Sequence, residues 1–219
     1  MSILRFIKNL FRPPKGPNYL IEFRFQGYAS NYLRQNIWDV SKKFRVKGVT
    51  GKKVVPHISL IGPFKTKKQR EIVSRFVKVC KKYEWIRFKL SGFDHFDNKV
   101  IYVDVNPSNK LVEFRQELFK ELEPVIFTVD TDYLKSFAFH STIAFKDIER
   151  KFDKIWSYLD KRKPKTITQV LLRVTLLKGS KILYEYDFPQ KRLLNRKQAL
   201  NKKITRKTIA MLKENKNNR

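Results

Sequence analysis

From Asn18 onward, the apolar positions switch repeatedly between a period of two and a period near 3.6. This is the signature of strands alternating with amphipathic helices. Tyr19, Ile21, Phe23 and Phe25 alternate and predict a strand over Tyr19 to Phe25, and Leu33, Ile37, Val40 and Phe44 fall on one face of a following helix. A strand over Val54 to Ile61, closed by Gly62-Pro63, comes next. Then come a helix over Lys67 to Lys82 and a strand over Trp85 to Leu90. The second half runs in the same order: strand Lys99 to Val105, helix Leu111 to Leu122, strand Phe137 to Phe145, helix Ile148 to Leu159, and a long strand Thr166 to Leu177. A final strand over Lys181 to Phe188 follows the hairpin turn Lys178-Gly179-Ser180. The matching order predicts two lobes related by a pseudo-twofold axis, built from sequence halves of about 18–95 and 96–188.

The middle strand of each half carries a histidine, His57 and His140, and the chain has only three in all. Side chains on a strand alternate between faces, so His57 shares a face with Ser59 and His140 shares one with Thr142. Ile58 and Leu60 point into the opposite layer, as do Ser141, Phe137, Phe139, Ile143 and Phe145. Small Ala138 and Ala144 then flank His140 and Thr142 and leave room for a ligand. A lone strand histidine is more often a core residue satisfied by a carbonyl. Two in equivalent strands, each with a hydroxyl two residues on, point to a site. His95, in a polar stretch between the halves, reads as structural or solvent-facing.

Two facing imidazoles can transfer protons in both directions near neutral pH. One removes a proton from an attacking oxygen and the other protonates a leaving oxygen, as phosphodiester chemistry requires. The hydroxyls of Ser59 and Thr142 can donate hydrogen bonds to non-bridging phosphoryl oxygens. Lys65 and Lys146, which follow the two histidine strands, and Lys52 and Lys53, which precede the first, are the candidate substrate-binding cations. A zinc site is disfavoured because neither motif has a third His, a Cys cluster or a nearby Asp or Glu in the sequence. A serine nucleophile is disfavoured because Ser59 and Ser141 lack the glycine frame of a nucleophile elbow and an Asp to orient a base.

Composition narrows the picture further. A formal charge of +29 makes a polyanion such as RNA or DNA the expected partner, with a Lys surplus serving solubility as the alternative. Seven glycines in 219 residues leave no place for a glycine-rich nucleotide loop, so neither ATP nor NAD is expected. The single cysteine, Cys80, lies in an apolar run. It predicts a buried thiol and fits a reducing cytoplasm. No stretch approaches the roughly 20 apolar residues of a membrane span.

Residues 1–17 form an amphipathic segment, helical up to Pro13-Pro14, that either folds back on the domain or lies on a membrane surface. Residues 18–188 form the bilobal domain and residues 189–219 a basic helical tail. From Gln190 the tail holds eleven Lys and Arg and one acid, Glu214. It reads either as an arm that binds a nucleic-acid backbone or as a solvated terminus.

Pro56-His57-Ile58-Ser59-Leu60-Ile61-Gly62-Pro63-Phe64 and Phe139-His140-Ser141-Thr142-Ile143-Ala144 resemble the paired His-x-Thr/Ser-x motifs of the 2H phosphoesterases. The resemblance is strongest to the branch of 2'-5' RNA ligases and RNA 2',3'-cyclic phosphodiesterases. It covers Asn18 to Phe188, with Ser59 standing where Thr is commoner. It implies an α+β, bilobal fold with antiparallel sheets around a central cleft and helices outside, and it implies no cofactor and no metal. It further implies an enzyme acting on RNA with a 2',3'-cyclic phosphate, which it opens to a 2'-phosphate, or on a 2'-5' linkage; a monomer is expected. His57, His140, Ser59 and Thr142 would then be the catalytic residues. The competing reading is a non-catalytic RNA-binding protein that uses the cleft and tail.

Overall fold

A computed structural model of the chain describes residues 15–47, 55–128, 137–162 and 165–217. The segment before residue 15 and the predicted cations Lys52 and Lys53 lie outside the described residues. Strands β1 (Tyr19–Arg24), β2 (His57–Lys65), β3 (Ile86–Phe96), β4 (Val100–Pro107) and β5 (Phe127–Thr128) alternate with helices α1 (Gly27–Phe44), α2 (Gln69–Cys80) and α3 (Asn109–Leu122). Then follow β6 (His140–Phe145), α4 (Phe152–Asp160), β7 (Ile167–Leu171), β8 (Arg173–Lys178), β9 (Lys181–Asp187), β10 (Arg192–Asn195), α5 (Arg196–Ala199) and α6 (Lys202–Asn217). The fold is α+β with two antiparallel sheets, ordered β10-β9-β8-β1-β2-β5 and β6-β4-β3-β7.

The sheets do not follow the sequence halves. β3, from the first half, belongs with β4, β6 and β7, while β8 and β9, from the second half, complete the sheet of β1 and β2. The cause is local. β3 and β4 form a hairpin in which Phe96 pairs with Val100, so the expected boundary at 95/96 cuts through two strands that must stay together. The predicted long strand Thr166 to Leu177 is likewise two strands. Leu172 breaks it, and the chain crosses there from one sheet to the other. The Gly179-Ser180 turn does join β8 to β9, with Lys178 pairing with Lys181 and Gly179 at φ +57°.

One continuous hydrophobic core joins both sheets and the first four helices. Phe23 on β1 meets Phe88 on β3 edge-to-face at 5.4 Å, the geometry aromatic quadrupoles favour. α3 is capped by Ser108, whose hydroxyl accepts the Leu111 N–H. It buries Leu111, Phe114, Leu118 and Leu122 and packs on β2, β3 and β4, spanning the two sheets. α1 leaves β1 but packs on β6 of the other sheet, so the lobes interlock.

β10 and the helices after it are not a separate tail, because β10 extends the larger sheet beside β9. α6 is anchored by Arg173, which is 5% exposed. Its Nε donates to Asp187 Oδ2 at 2.8 Å, and its Nη1 to Glu185 Oε1 at 3.2 Å and Thr205 Oγ1 at 3.2 Å. Thr208, 1% exposed, bridges Arg173 and Asp187, and Gln190 donates to both Asp187 and Thr208. Every buried polar group of this cluster has a partner, as burial demands.

Candidate active site

The two histidine strands are built alike. On β2, His57 and Ser59 are half-buried while Ile58, Leu60 and Ile61 are buried. On β6, His140 and Thr142 are half-buried while Ser141, Ile143 and Ala144 are buried. In each strand one extra residue sits three positions after the histidine. Leu60 is skipped between the Glu22–Ser59 and Ile21–Ile61 pairs, and Ile143 between the Tyr102–Thr142 and Ile101–Ala144 pairs. These bulges re-phase the alternation. Phe145, not Ala144, therefore reaches the cleft, which corrects the expectation that small alanines flank the site on both sides.

Both imidazoles are held in the same way. Val55 O lies 2.9 Å from His57 Nδ1, and Ala138 O lies 2.8 Å from His140 Nδ1. A carbonyl oxygen only accepts, so each Nδ1 carries its proton and each Nε2 is the nitrogen left for chemistry. A cavity of about 420 Å³ lies between the strands, with His57, His140, Thr142, Phe96 and Phe145 in its wall. Ser59 shares the strand face of His57 but lies outside that wall.

The two histidines differ in their surroundings. His140 sits against the rings of Phe96 (5.0 Å) and Tyr102 (5.1 Å). Burial holds its pKa below the ordinary 6.5 against the opposing effect of the Ala138 carbonyl, and the charge of His57 pushes it the same way as burial. Tyr102 donates to Asp94, and burial together with that carboxylate pushes its pKa up to about 12, so it stays a neutral phenol. His57 is more open, with 41% of its side chain exposed, and Glu22 Oε2 lies 3.8 Å from its Nε2. Glu22 is buried, and its other oxygen is 3.5 Å from Arg24 Nε. Burial raises the Glu22 pKa, and His57 and Arg24 pull it back.

Each histidine strand thus faces a charged partner strand. Arg24 pairs with His57 and Glu22 with Ser59, while Asp104 pairs with His140 and Tyr102 with Thr142. Directly opposed residues share a face. Sequence reasoning found no acid beside either motif because it looked along the motifs, and these residues lie on neighbouring strands. The signal was present all the same: if Tyr19, Ile21 and Phe23 face the core, Glu22 and Arg24 face the other way.

The remaining expected residues are dispersed. Lys146 is exposed just after β6, its ammonium 4.9 Å from the ring of Phe145, which lines the cavity, but Lys146 itself is not in the cavity wall. Lys65 is not part of the site. β2 continues past Gly62-Pro63, and eight residues at ~3.3 Å each put Lys65 about 26 Å along the strand from His57, opposite Phe127. His95 packs its ring on Phe152 and Trp156, away from the cavity, and Cys80 is buried with its pKa raised by desolvation. Among the described residues no group of three or more His, Cys, Asp or Glu is placed to hold a metal ion, and no helix is long and apolar enough to cross a membrane.

Residues 35–181 match the family model of the 2'-5' RNA ligase superfamily. The chain belongs to that superfamily. The fold of its members is also seen in solved structures similar to this one. TT0787 of Thermus thermophilus is 12% identical with a TM-score of 0.59, the match covering 78% of this chain and 97% of that one. LigT of E. coli, solved in complex with 3'-AMP, is 12% identical with a TM-score of 0.51, covering 80% of this chain and 99% of that one. Identities this low speak for the fold. Among curated proteins none matches the chain. Both histidine motifs sit inside the matched span.

Proposed function

We propose that the chain is an RNA phosphoesterase that opens 2',3'-cyclic phosphate ends to 2'-phosphates, or acts on 2'-5' phosphodiester bonds, by two-histidine acid/base catalysis. One observation carries this reading: two imidazoles in one cavity wall, each with Nδ1 tied to a backbone carbonyl and Nε2 left for proton transfer. E. coli LigT, which shares the fold, was solved in complex with 3'-AMP, which supports a nucleotide as the kind of ligand.

The surroundings of the two imidazoles support a division of roles. Burial lowers the His140 pKa and so favours its neutral form, which suits its Nε2 lone pair to the role of general base. An imidazolium at His57 satisfies both of its neighbours, with Nδ1–H donating to Val55 O and Nε2–H facing the Glu22 carboxylate, which suits the general acid. In hydrolysis, His140 Nε2 takes a proton from water as the water oxygen bonds to phosphorus. The bond from phosphorus to O3' breaks, and His57 gives its Nε2 proton to O3'. The products are a 2'-phosphate and a 3'-hydroxyl, with His140 protonated and His57 neutral until solvent exchange resets them. With the 5'-hydroxyl of an RNA end in place of water, the same steps give a 2'-5' joint. Thr142 and Ser59 donate to the non-bridging oxygens, and Lys146 adds positive charge beside Phe145. Each proton transfer accounts for about 10²–10⁴ in rate. The buried lone cysteine fits a reducing compartment such as the cytoplasm.

The test is turnover of a short RNA ending in a 2',3'-cyclic phosphate, in EDTA, by the wild type and by His57→Ala and His140→Ala. The expected result is 2'-phosphate product from the wild type and a loss of at least about 10²-fold in each variant. RNA binding with no product in the wild type would make the chain a binder instead.

A further inference from the structure

The C-terminal unit of β10, α5 and α6, with the turn before it, carries nine exposed basic residues. On α6, Lys202, Lys203, Arg206, Lys207 and Lys213 are all exposed, and at about 100° per residue they fall within an arc of about 140°. Four more exposed basic residues lie between 191 and 197 on β10, α5 and the turn before them. None of the nine makes an ion pair among the described residues, whose salt bridges lie elsewhere. The opposite face of α6 is fixed to the sheet by buried Thr208 and Leu212 and by the Arg173–Asp187 cluster. These charges are held in place, and Glu214 is the one acid among the described residues of α6 that shares their arc.

Their position relates them to the catalytic cavity. Thr205, Thr208 and Ile209 of α6 line a second cavity, of about 250 Å³, together with Arg24, Gln26 and Gln169. Arg24 pairs across the sheet with His57. The basic helix therefore lies beside the second cavity, one strand away from a catalytic imidazole.

On the reading of the site given above, we propose that this unit is a fixed binding surface for the phosphodiester backbone of the RNA substrate. The substrate class is then RNA oligomers, gripped several nucleotides away from the reacting end, rather than cyclic mononucleotides. A membrane is the poorer partner for this surface. The apolar side of α6 is used up against the sheet, and Ile209 is the one large apolar residue left exposed on its described part.

The experiment compares wild type with K202A/K203A/R206A/K207A, a change confined to exposed positions. Three measurements are made: affinity for a fluorescent RNA 12-mer ending in a 3'-hydroxyl across a salt series, turnover of a 12-mer and of a mononucleotide with 2',3'-cyclic phosphates, and binding to phosphatidylserine vesicles. Single-stranded phosphate contacts each add ~0.7 to the salt slope, so four lost contacts lower it by about 3. The expected result is at least a tenfold loss of 12-mer affinity and a matching rise in its KM, with mononucleotide kcat/KM within about twofold of wild type. Unchanged 12-mer binding overturns the proposal, and so does an equal loss on both substrates. Loss of vesicle binding alone also overturns it, in favour of a lipid surface. Absent turnover in the wild type with the 12-mer binding pattern intact counts against the acid/base reading and leaves this surface standing.

Discussion

Replacing Arg173 with Met removes the only cation among the described residues that pairs with two carboxylates held out of water. Glu185 is 4% exposed and Asp187 fully buried, and Arg173 meets them at 3.2 and 2.8 Å. Thr175 and Gln190 still donate to Glu185 and Asp187 after the change, but neither neutralises charge. Breaking a buried ion pair from one side costs about 3–5 kcal/mol. At about 2–4 °C per kcal/mol for a chain of this size, Tm should fall by roughly 6–20 °C. Calorimetry on wild type, Arg173→Met and the triple variant R173M/E185Q/D187N measures it. The triple variant should recover part of the loss, because amides need no counter-charge. A Tm drop of under about 3 °C in Arg173→Met would refute the argument that this cluster holds the C-terminal unit in place.

Three further outcomes follow from the site. If neutral His140 is the base, activity rises with pH through its pKa, which burial keeps below 6.5, so the acid limb of kcat/KM should lie below pH 6.5. The same lowered pKa means the folded state binds fewer protons than the unfolded chain. Stability should therefore fall as pH drops below about 6.5 toward the folded-state value, less steeply in His140→Asn, as denaturant melts at pH 5 to 8 would show. Glu22→Gln keeps the shape of the side chain but loses the charge beside His57 Nε2, so kcat should fall about tenfold or more with KM little changed, and a change confined to KM would contradict the acid role. Thr142→Val removes a hydroxyl from the cavity wall and should cost about 10²-fold in kcat, whereas the more distant Ser59→Ala should cost less.

The parts of the site readable from sequence were those confined to one strand. Alternation placed His57 with Ser59 and His140 with Thr142, and the repeated order of elements brought the two strands into one cleft. What escaped depended on neighbours distant in sequence. Glu22 and Arg24 act across a strand pair, and the exchange of β3 for β8 and β9 follows from hairpin pairing that periodicity alone does not reveal. Leu172 interrupts an apolar run with neither Gly nor Pro to mark it, so two strands in different sheets looked like one. Arg173, just beyond it, was the unread signal: a charge in the middle of an apolar strand needs buried acids, and Glu185 and Asp187 stand at every second residue on the next strand. The tail looked like an arm because its charges dominate its composition. Its small anchor, Thr208, does not stand out in a sequence.

The paired bulges at Leu60 and Ile143 divide each histidine strand into two independent reading frames. Ahead of the bulge, odd and even positions decide which side chains share the face of the imidazole. Behind it, the same parity decides which atoms fill the core and, on β6, which ring reaches the cleft, that of Phe145. Substitutions can accumulate in the rear frame without turning an imidazole, provided no residue is gained or lost. A one-residue deletion at either bulge would instead fuse the frames and turn one end of the strand over. The two halves of the chain could therefore drift until little but His-x-hydroxyl remained in common, and still present the same pair of nitrogens to the cleft.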